Sequence, residues 1–467
     1  MATQSLTIRS PQDVVQFINF NSRTMPIWVL LIAYGGIFID AYDSFSLGIG
    51  VPQIQQQFHL TALQLGSLTA SLAIGAIGGA LVGGYYVDKV GRLRMFMLDL
   101  VFFVVAAVGA AVSTNLFVLV AFRLLMGVGI GLDYPVALSF VAEYSSLRGK
   151  AKNVAFWIVV NSIVAIFIYV GVALPLYLAG AGPNLWRWVL GLGAVPAAVI
   201  LVLRYIFLEE SPMWMALHGD LHGAAQVLER TYKIHAVVDP SAKSAPRQQH
   251  KWKDYAKLFS KKYRKRTLLI SIVCPLQSME YYAIAFYFPS ILLLLVGKQF
   301  VYVILGSAFL NIFALLGGIA AMFLTQQLGL RPLLIVTLSV VALSLIVTGL
   351  TRELLPMSIA VGLIGLFNFA HAAGPGHGGM TMATLSYPTS MRGAGTGWAQ
   401  GTLRVGSTLG FLLFPMLLSR VGLSKTLLCL AVVPVANLVA CLAIRWEPVG
   451  RDIDAEDLAE AKACGAS

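Results

Sequence analysis

The sequence predicts an all-α membrane protein in which twelve transmembrane helices form two pseudo-symmetric six-helix bundles. Of the 467 residues, 58% are hydrophobic and 12% are charged, with a mean hydropathy of +0.79, whereas soluble domains carry about 25% charged residues. Apolar runs of the roughly 20 residues that a helix needs to cross a bilayer recur along the whole chain. These runs lie at residues 25–51, 62–86, 93–113, 115–144, 152–178, 186–207, 265–296, 300–326, 331–349, 354–386, 393–422 and 424–446.

A polar linker separates two sets of six runs and so predicts the domain organisation. Many transporters are built from two such halves and bind their solute between them, near the middle of the bilayer. The expected segments are an N-terminal segment 1–24, an N-terminal bundle 25–207, a linker 208–264 with short helices near 219–233 and 252–263, a C-terminal bundle 265–446, and an acidic tail 447–467 that is either a solvated helix or disordered.

A weak internal repeat supports this division. The loop GYYVDKVGRLR, residues 84–94, follows the second run, and TQQLGLRP, residues 325–332, follows the eighth. Each loop needs a sharp turn, which we expect at Gly91 and Gly329.

The net charge of +12 has a topological explanation, because the basic residues concentrate in the loops of one side. By the positive-inside rule, both termini and the linker of this multi-pass protein lie in the cytoplasm, and we expect it in the cell membrane.

The expected partners are the lipid bilayer and a small-molecule solute, with no nucleic acid, and we expect a functional monomer. The four cysteines have no spacing typical of a metal site or a disulfide framework, so no metal or other cofactor is expected.

Two carboxylates, Asp40 and Asp43, interrupt the first run and lie on one helical face. A charged side chain at the bilayer centre costs about 2.5 kcal/mol or more, so it faces a bundle interior or a wet cavity and often belongs to a transport pathway. Asp133 in the fourth run raises the same question, since it either takes part in proton transfer or only hydrogen-bonds within the bundle.

The seventh run carries Gln277, Glu280 and Tyr287 at helical spacing, which predicts one polar face. Glu280 is then either a polar wall of the cavity or a second proton carrier. Asn161, in the middle of the fifth run, either lines the cavity or hydrogen-bonds between helices.

The tenth run contains Asn368 and His371 and is broken by Pro375, as in a discontinuous gate helix. His371 is either a proton carrier or a neutral hydrogen-bonding residue. Arg404 lies well inside the eleventh run, and its planar guanidinium suits a carboxylate or phosphate. The alternative is that Arg404 pairs with Glu280 and contacts no solute.

Five motifs, in the proper order, resemble those of the major facilitator superfamily. The resemblance implies the major facilitator fold, transport by alternating access, and an inner gate network made of Asp88, Arg92, Glu143 and Arg148. The motifs are GYYVDKVGRLR, RLLMGVGIG from Arg123, AEYSSLRGK from Ala142, WRWVLGLGAVP from Trp186 and LEESPMWM from Leu208, the last being similar to a stretch that closes the first half of sugar porters.

Within the superfamily, DAYDSFSLG resembles motifs of proton-coupled sugar porters and phosphate:proton symporters. The sugar-porter resemblance implies that Asp43 is the proton site and Arg123 its partner, with a static ion pair as the alternative. GVGIGLDYP resembles a phosphate-symporter signature, which implies that Asp133 and Tyr134 contribute to the proton and substrate sites. YPTSMR and the stretch around Arg404 resemble aromatic-acid symporters and organic-anion carriers, which implies that this arginine binds an anion.

The sequence favours proton-coupled symport of a small anion, either inorganic phosphate or an organic carboxylate. An enzyme is not expected, because no nucleophile and base pair stands out. The alternatives are a porter for a sugar or another neutral solute and a transporter-like nutrient sensor. The proton-coupling candidates are Asp40, Asp43, Arg123, Asp133 and Glu280, and the solute-binding candidates are Tyr134, Asn161, Gln277, Glu280, Tyr287, Asn368, His371 and Arg404.

Overall fold

The computed structural model describes residues 5–20, 26–242, 254–296, 299–352, 354 and 356–463. Within this part of the chain, ten helices are long and apolar enough to cross a membrane, and the bent pair Ile27–Ala33 and Gly35–Gln57 adds one more. The helix Arg392–Ala443 has 52 residues and leaves helical geometry at Gly422 (φ 75°, ψ 173°). It therefore contains two membrane helices, and the predicted all-α fold with twelve spans is confirmed.

The membrane helices are numbered 1 to 12 in chain order. Helices 1 to 6 form the N-terminal bundle and consist of Ile27–Ala33 with Gly35–Gln57; Ala62–Val90; Arg92–Ala111; Leu116–Tyr144; Leu147–Ala155 with Trp157–Ile166, the π-helix Phe167–Ala173 and Leu174–Leu178; and Leu185–Gly191 with Ala194–Phe207. Helices 7 to 12 form the C-terminal bundle and consist of Arg264–Ile284 with Phe288–Val296; Phe300–Leu328; Leu330–Thr351; Met357–Ala373 with Pro375–Ser386; and the two parts of Arg392–Ala443 on either side of Gly422.

Helix 1 bends by 43° between its two parts, and two glycines at the bend allow close packing. A Cβ atom added at Gly35 would lie 2.4 Å from the side chain of Ile200, and one added at Gly36 would lie 2.1 Å from the carboxyl group of Asp133. Helix 1 therefore rests directly against helices 4 and 6 just before Asp40.

The two repeated loops turn at the predicted glycines. Gly91 has φ 105° and Gly329 has φ 85°, a left-handed region that side chains with a Cβ atom rarely adopt. Each glycine ends one membrane helix and precedes the next, so both turn predictions are confirmed.

Several short elements gather at one end of the bundles, which we call the terminal side. Ser5–Ile8 pairs in parallel with His235–Val238, with Ser5 opposite His235, and the sequence did not predict this small sheet. The other elements of this side are the helices Pro11–Phe20, Pro212–Leu217, Leu221–Tyr232, Asp254–Lys257 and Ile453–Ala463.

The tail helix is packed against the C-terminal bundle rather than free in solvent. Asp454 accepts hydrogen bonds from the backbone N–H of Thr389 at 2.6 Å and from Arg392 Nη2 at 3.1 Å. Of the two alternatives for the tail, the helix is the one observed.

The two bundles contact each other at both ends. On the terminal side, Asp88 Oδ2 accepts a hydrogen bond from the backbone N–H of Ala394 at 3.0 Å. Toward the opposite end, the hydroxyl groups of Thr69 and Tyr287 lie 3.0 Å apart. The structure is therefore a closed conformation, in which the space between the bundles is covered on both sides.

Candidate functional site

A small polar cavity of about 30 Å³ lies between the bundles. This volume accommodates one or two water molecules, so the cavity must expand before an organic solute enters. It is lined by Tyr134, Trp157, Ile158, Asn161, Gln277, Tyr281, Tyr282, His371, Gly376, Gln400, Leu403 and Arg404.

A larger groove of about 600 Å³ lies on the outer surface of the N-terminal bundle. Its lining is apolar and includes Leu31, Phe167 and Val199, whose exposed fractions are 53%, 47% and 53%. Exposed apolar side chains on the outside of a helix bundle face lipid, so we place the functional site in the central cavity.

Arg404 joins the two bundles across this cavity. Its Nη2 donates a hydrogen bond to Asp40 Oδ2 at 2.8 Å, and both side chains are buried. Glu280, which the sequence offered as an alternative partner, makes no ion pair with Arg404 in the described part of the chain. The sequence could not anticipate the Asp40 contact because it depends on how two helices from different bundles face each other.

Glu280 instead lies beside His371. His371 Nδ1 and Glu280 Oε1 are 3.4 Å apart, and both side chains are almost completely buried. Neither Glu280 oxygen has a hydrogen-bond partner among the described residues, and the same holds for His371 Nδ1. The pair can share a proton, because a buried carboxylate beside an imidazole with no other partner is stabilised by a proton between them.

Asp43 forms the second buried ion pair of helix 1. Arg123 Nη1 of helix 4 donates to Asp43 Oδ2, and both residues are at most 2% exposed. The resemblance to sugar porters implied this partner, and the structure brings the two side chains together within the N-terminal bundle. Whether Asp43 carries the coupled proton remains a prediction.

Asp133 lies in a third buried cluster, which the sequence analysis missed. Arg204 Nη2 donates to Asp133 Oδ1 at 2.9 Å, and Arg204 Nη1 lies 3.2 Å from Asp99 Oδ2. Arg204 also donates to the carbonyl of Ala33, at 3.2 Å, where helix 1 bends. Asp99 lies inside the predicted apolar run 93–113 and Arg204 inside the run 186–207, so a charge within an apolar run, the signal that marked Asp40 and Asp43, could have identified both.

The predicted inner gate network is partly assembled on the terminal side. Arg92 Nη2 lies 2.6 Å from Glu143 Oε1 and 3.3 Å from Asp88 Oδ1. Arg148 is exposed and has no ion pair in the described residues, which corrects its placement in this network. Arg392, from the C-terminal bundle, occupies that role instead and lies 3.6 Å from Glu143.

Three predicted solute ligands, Glu280, Tyr287 and Asn368, lie outside the cavity lining. Helix 7 stops at Ile284 and resumes at Phe288, so the helical spacing used to place Tyr287 does not hold, and this hydroxyl instead donates to the carbonyl of Phe411 at 3.1 Å. Asn368 donates to the carbonyl of Leu310 at 2.8 Å within the C-terminal bundle.

The predicted residues Tyr134, Asn161, Gln277, His371 and Arg404 do line the cavity. The sequence analysis missed Trp157, Tyr281, Tyr282 and Gln400. Aromatic residues are frequent in any membrane helix, so the type of residue alone did not indicate these positions. Gln400 stands one helical turn before Arg404, and that spacing could have identified it.

A membrane protein of two six-helix bundles with a polar cavity between them has the architecture of a solute transporter of the major facilitator superfamily. Comparison with known proteins agrees. The family model "Sugar (and other) transporter" matches residues 28–455. The chain belongs to this family of transporters and is not an enzyme.

Individual relatives extend over nearly the whole chain. The chain is 29% identical to the putative metabolite transport protein YaaU of Escherichia coli (strain K12) over 450 residues, which cover 94% of this chain and 95% of the relative. It is 27% identical to the glucose transporter GlcP of Staphylococcus epidermidis over 437 residues, covering 91% and 95%. The structure of the proton:xylose symporter XylE bound to 6-bromo-6-deoxy-D-glucose matches with a TM-score of 0.74 at 18% identity, covering 92% of this chain and 97% of that one.

Proposed function

We propose that this transporter carries a small neutral solute rich in hydroxyl groups, of the monosaccharide class, together with a proton. The observation that carries the proposal is the charge balance of the cavity, where the Arg404 guanidinium is already paired with the Asp40 carboxylate at 2.8 Å. The remaining polar lining is mainly neutral and includes the amides of Asn161, Gln277 and Gln400. Amides and aromatic faces suit a solute that offers hydroxyl groups and apolar ring faces.

Two of the proteins named above also support a neutral sugar as the solute, since one is a glucose transporter and the other a proton:xylose symporter. The preference is therefore the reverse of the one drawn from the sequence, where the resemblance around Arg404 favoured an anion. That inference took the arginine to be available to the solute.

The buried Asp43–Arg123 pair is the proposed coupling element. A carboxylate desolvated in a bundle favours protonation, and an adjacent guanidinium opposes it. If alternating access changes the contact between the two side chains, proton binding depends on the conformation, which is what symport requires. Asp133 and the Glu280–His371 pair are further proposed proton sites.

A small carboxylate is the second candidate solute, and Arg404 is the observation that favours it. A guanidinium that is 1% exposed beside the cavity would bind a carboxylate strongly once its present partner moved away.

For either solute, we propose that the termini and the linker lie in the cytoplasm, because the loops of that side carry most of the basic residues.

Flux measurements on purified protein in liposomes test the proposal. The assay imposes an inward proton gradient and compares labelled glucose and xylose with benzoate and phosphate. We expect a neutral sugar to accumulate above its external concentration and to leak out when a protonophore is added. Accumulation of benzoate or phosphate with no sugar flux would favour the second candidate. A transporter-like nutrient sensor would show ligand binding without sustained flux.

A further inference from the structure

The contacts of Arg404 show why a guanidinium can stand in this cavity without serving as an anion site. A guanidinium has five N–H donors and binds a carboxylate best through two parallel hydrogen bonds from one edge. Nη2 is already bonded to Asp40 Oδ2 at 2.8 Å. The amide of Gln400, turned so that its oxygen faces the arginine, accepts from Nε and Nη2 at 3.1 Å each.

The other edge of the guanidinium is weakly engaged. Nη1 lies 3.4 Å from the hydroxyl group of Tyr282, and the ring of Tyr134 is centred 5.6 Å from the guanidinium carbon. A solute carboxylate approaching the Nη1 and Nη2 edge would have to share Nη2 with Asp40 and would face the like charge of that carboxylate. The solute carboxylate and Asp40 would then be two negative charges close together in a low-dielectric site, where they repel each other strongly.

The other acidic groups of this region already have neighbours of their own. Asp43, three residues after Asp40 on helix 1, pairs with Arg123. Glu280 lies beside His371 at 3.4 Å. The charge of Arg404 is therefore balanced chiefly by Asp40, which reaches it from the other bundle.

We propose that Asp40 determines the charge selectivity of the central site: its carboxylate occupies the anion-binding edge of Arg404, excludes carboxylate solutes and leaves a neutral cavity. This inference rests on the proposed function, in which the natural solute is neutral. It assigns to Asp40 a role different from that of Asp43, although both acids lie on the same helix within one turn.

The consequence is that removing the charge of Asp40 converts the same cavity into a site for small carboxylates. Without Asp40, Arg404 is a buried, unbalanced cation, and a ligand that restores the balance stabilises the folded protein by mass action. A small carboxylate such as acetate fits the space left by Asp40→Ala. Benzoate, whose ring suits the tyrosines of the lining, binds only when the cavity expands.

The experiment measures thermal unfolding of the purified full-length protein in sodium acetate, sodium benzoate and sodium chloride at equal ionic strength. The variants are Asp40→Ala and Asp40→Asn, with Asp43→Asn as the matched control that removes one carboxylate from the same helix. We expect both Asp40 variants to be stabilised by the carboxylates relative to chloride, with an apparent affinity at least tenfold tighter than that of the wild-type protein. Asp43→Asn should behave like the wild type, because its partner Arg123 is not among the residues that line the cavity and so is not open to an added carboxylate. Adding Arg404→Gln to Asp40→Ala should abolish the effect.

If the Asp40 variants are too unstable to purify in chloride, their recovery as monodisperse protein is measured after extraction in acetate or chloride. Selective recovery in acetate supports the proposal. Equal behaviour in all three salts, an effect that persists without Arg404, or equally tight carboxylate binding by the wild type would overturn it. The test needs no flux, so a failure of sugar uptake in liposomes refutes the proposed function without deciding the role of Asp40.

Discussion

The two bundles handle buried charge in different ways. The N-terminal bundle pairs its own charges: Arg123 with Asp43, Arg204 with Asp99 and Asp133, and Arg92 with Asp88 and Glu143. The C-terminal bundle leaves its central charges without comparable partners of its own. Glu280 meets only the imidazole of His371 among the described residues, and Arg404 reaches across to Asp40 of the other bundle.

This difference suggests separate roles for the bundles. The ion pairs of Arg123 and Arg204 join helices of one bundle, so rigid-body rocking of the bundles leaves them in place, whereas Asp88 and Glu143 also contact Ala394 and Arg392 across the interface between the bundles. The Asp40–Arg404 pair does cross that interface, so its energy depends on how close the bundles are. Rocking therefore acts directly on the Asp40–Arg404 pair, whereas proton coupling through Asp43 and Arg123 requires helices 1 and 4 to shift within the N-terminal bundle.

Asp43→Asn tests the N-terminal bundle and should have the largest effect. Removing the titratable group should abolish accumulation of the solute under a proton gradient while sparing exchange of labelled for unlabelled solute, since exchange needs no net proton movement. Both rates are measured in liposomes. Asp99→Asn is the control, because it also removes one buried acid of this bundle, and accumulation unchanged in Asp43→Asn would assign the proton to another residue.

Arg204→Met should destabilise the protein most. The substitution leaves Asp99 and Asp133 together without their shared cation, and breaking a buried ion pair by removing one partner costs about 3–5 kcal/mol. Asp99→Asn should cost less, because Arg204 keeps Asp133, and the loss of one charged hydrogen bond is worth about 1.5–3 kcal/mol. Unfolding in denaturant measures both, and equal losses would show that Arg204 does not act as a shared partner.

The membrane helices and their turns could be predicted from the sequence because they depend on local properties. The length of an apolar run sets a span, and a glycine such as Gly91 or Gly329 marks a turn with positive φ. The small sheet could not be predicted, since Ser5–Ile8 and His235–Val238 are four-residue strands from distant parts of the chain.

The sequence indicated which unusual residues belong to the site, but it could not indicate which of them contact each other. Arg404 and Asp40 both appeared as unusual charges in apolar runs, yet they are separated by 364 positions, and their contact depends on the rotation of two helices about their axes. The order of helices along the chain does not determine that rotation. The position of Tyr287 failed for a related reason, because a local break in helix 7 shifts every residue that follows it.

Arg404→Gln tests the contact between the bundles and should have an intermediate effect. It leaves Asp40 without its partner and so weakens the closed conformation, and contacting residues of this kind show coupling energies of about 0.5–3 kcal/mol. Spin labels placed on the two bundles would report a larger share of open conformations. Adding Asp40→Asn should restore part of the closed population, and identical distance distributions in the wild type and Arg404→Gln would exclude a contribution of this pair to closure.

Glu280→Gln should have the smallest effect on stability, because no guanidinium loses its partner when this carboxylate becomes an amide. We expect a change in unfolding free energy within about 1 kcal/mol, since the amide can still hydrogen-bond to His371. If Glu280 and His371 share a proton, however, the pH dependence of solute exchange should change in Glu280→Gln and in the matched variant His371→Gln, and in the same direction. A large loss of stability in Glu280→Gln would mean that the C-terminal bundle depends on this carboxylate as the N-terminal bundle depends on its ion pairs, and the distinction between the two bundles would then be wrong.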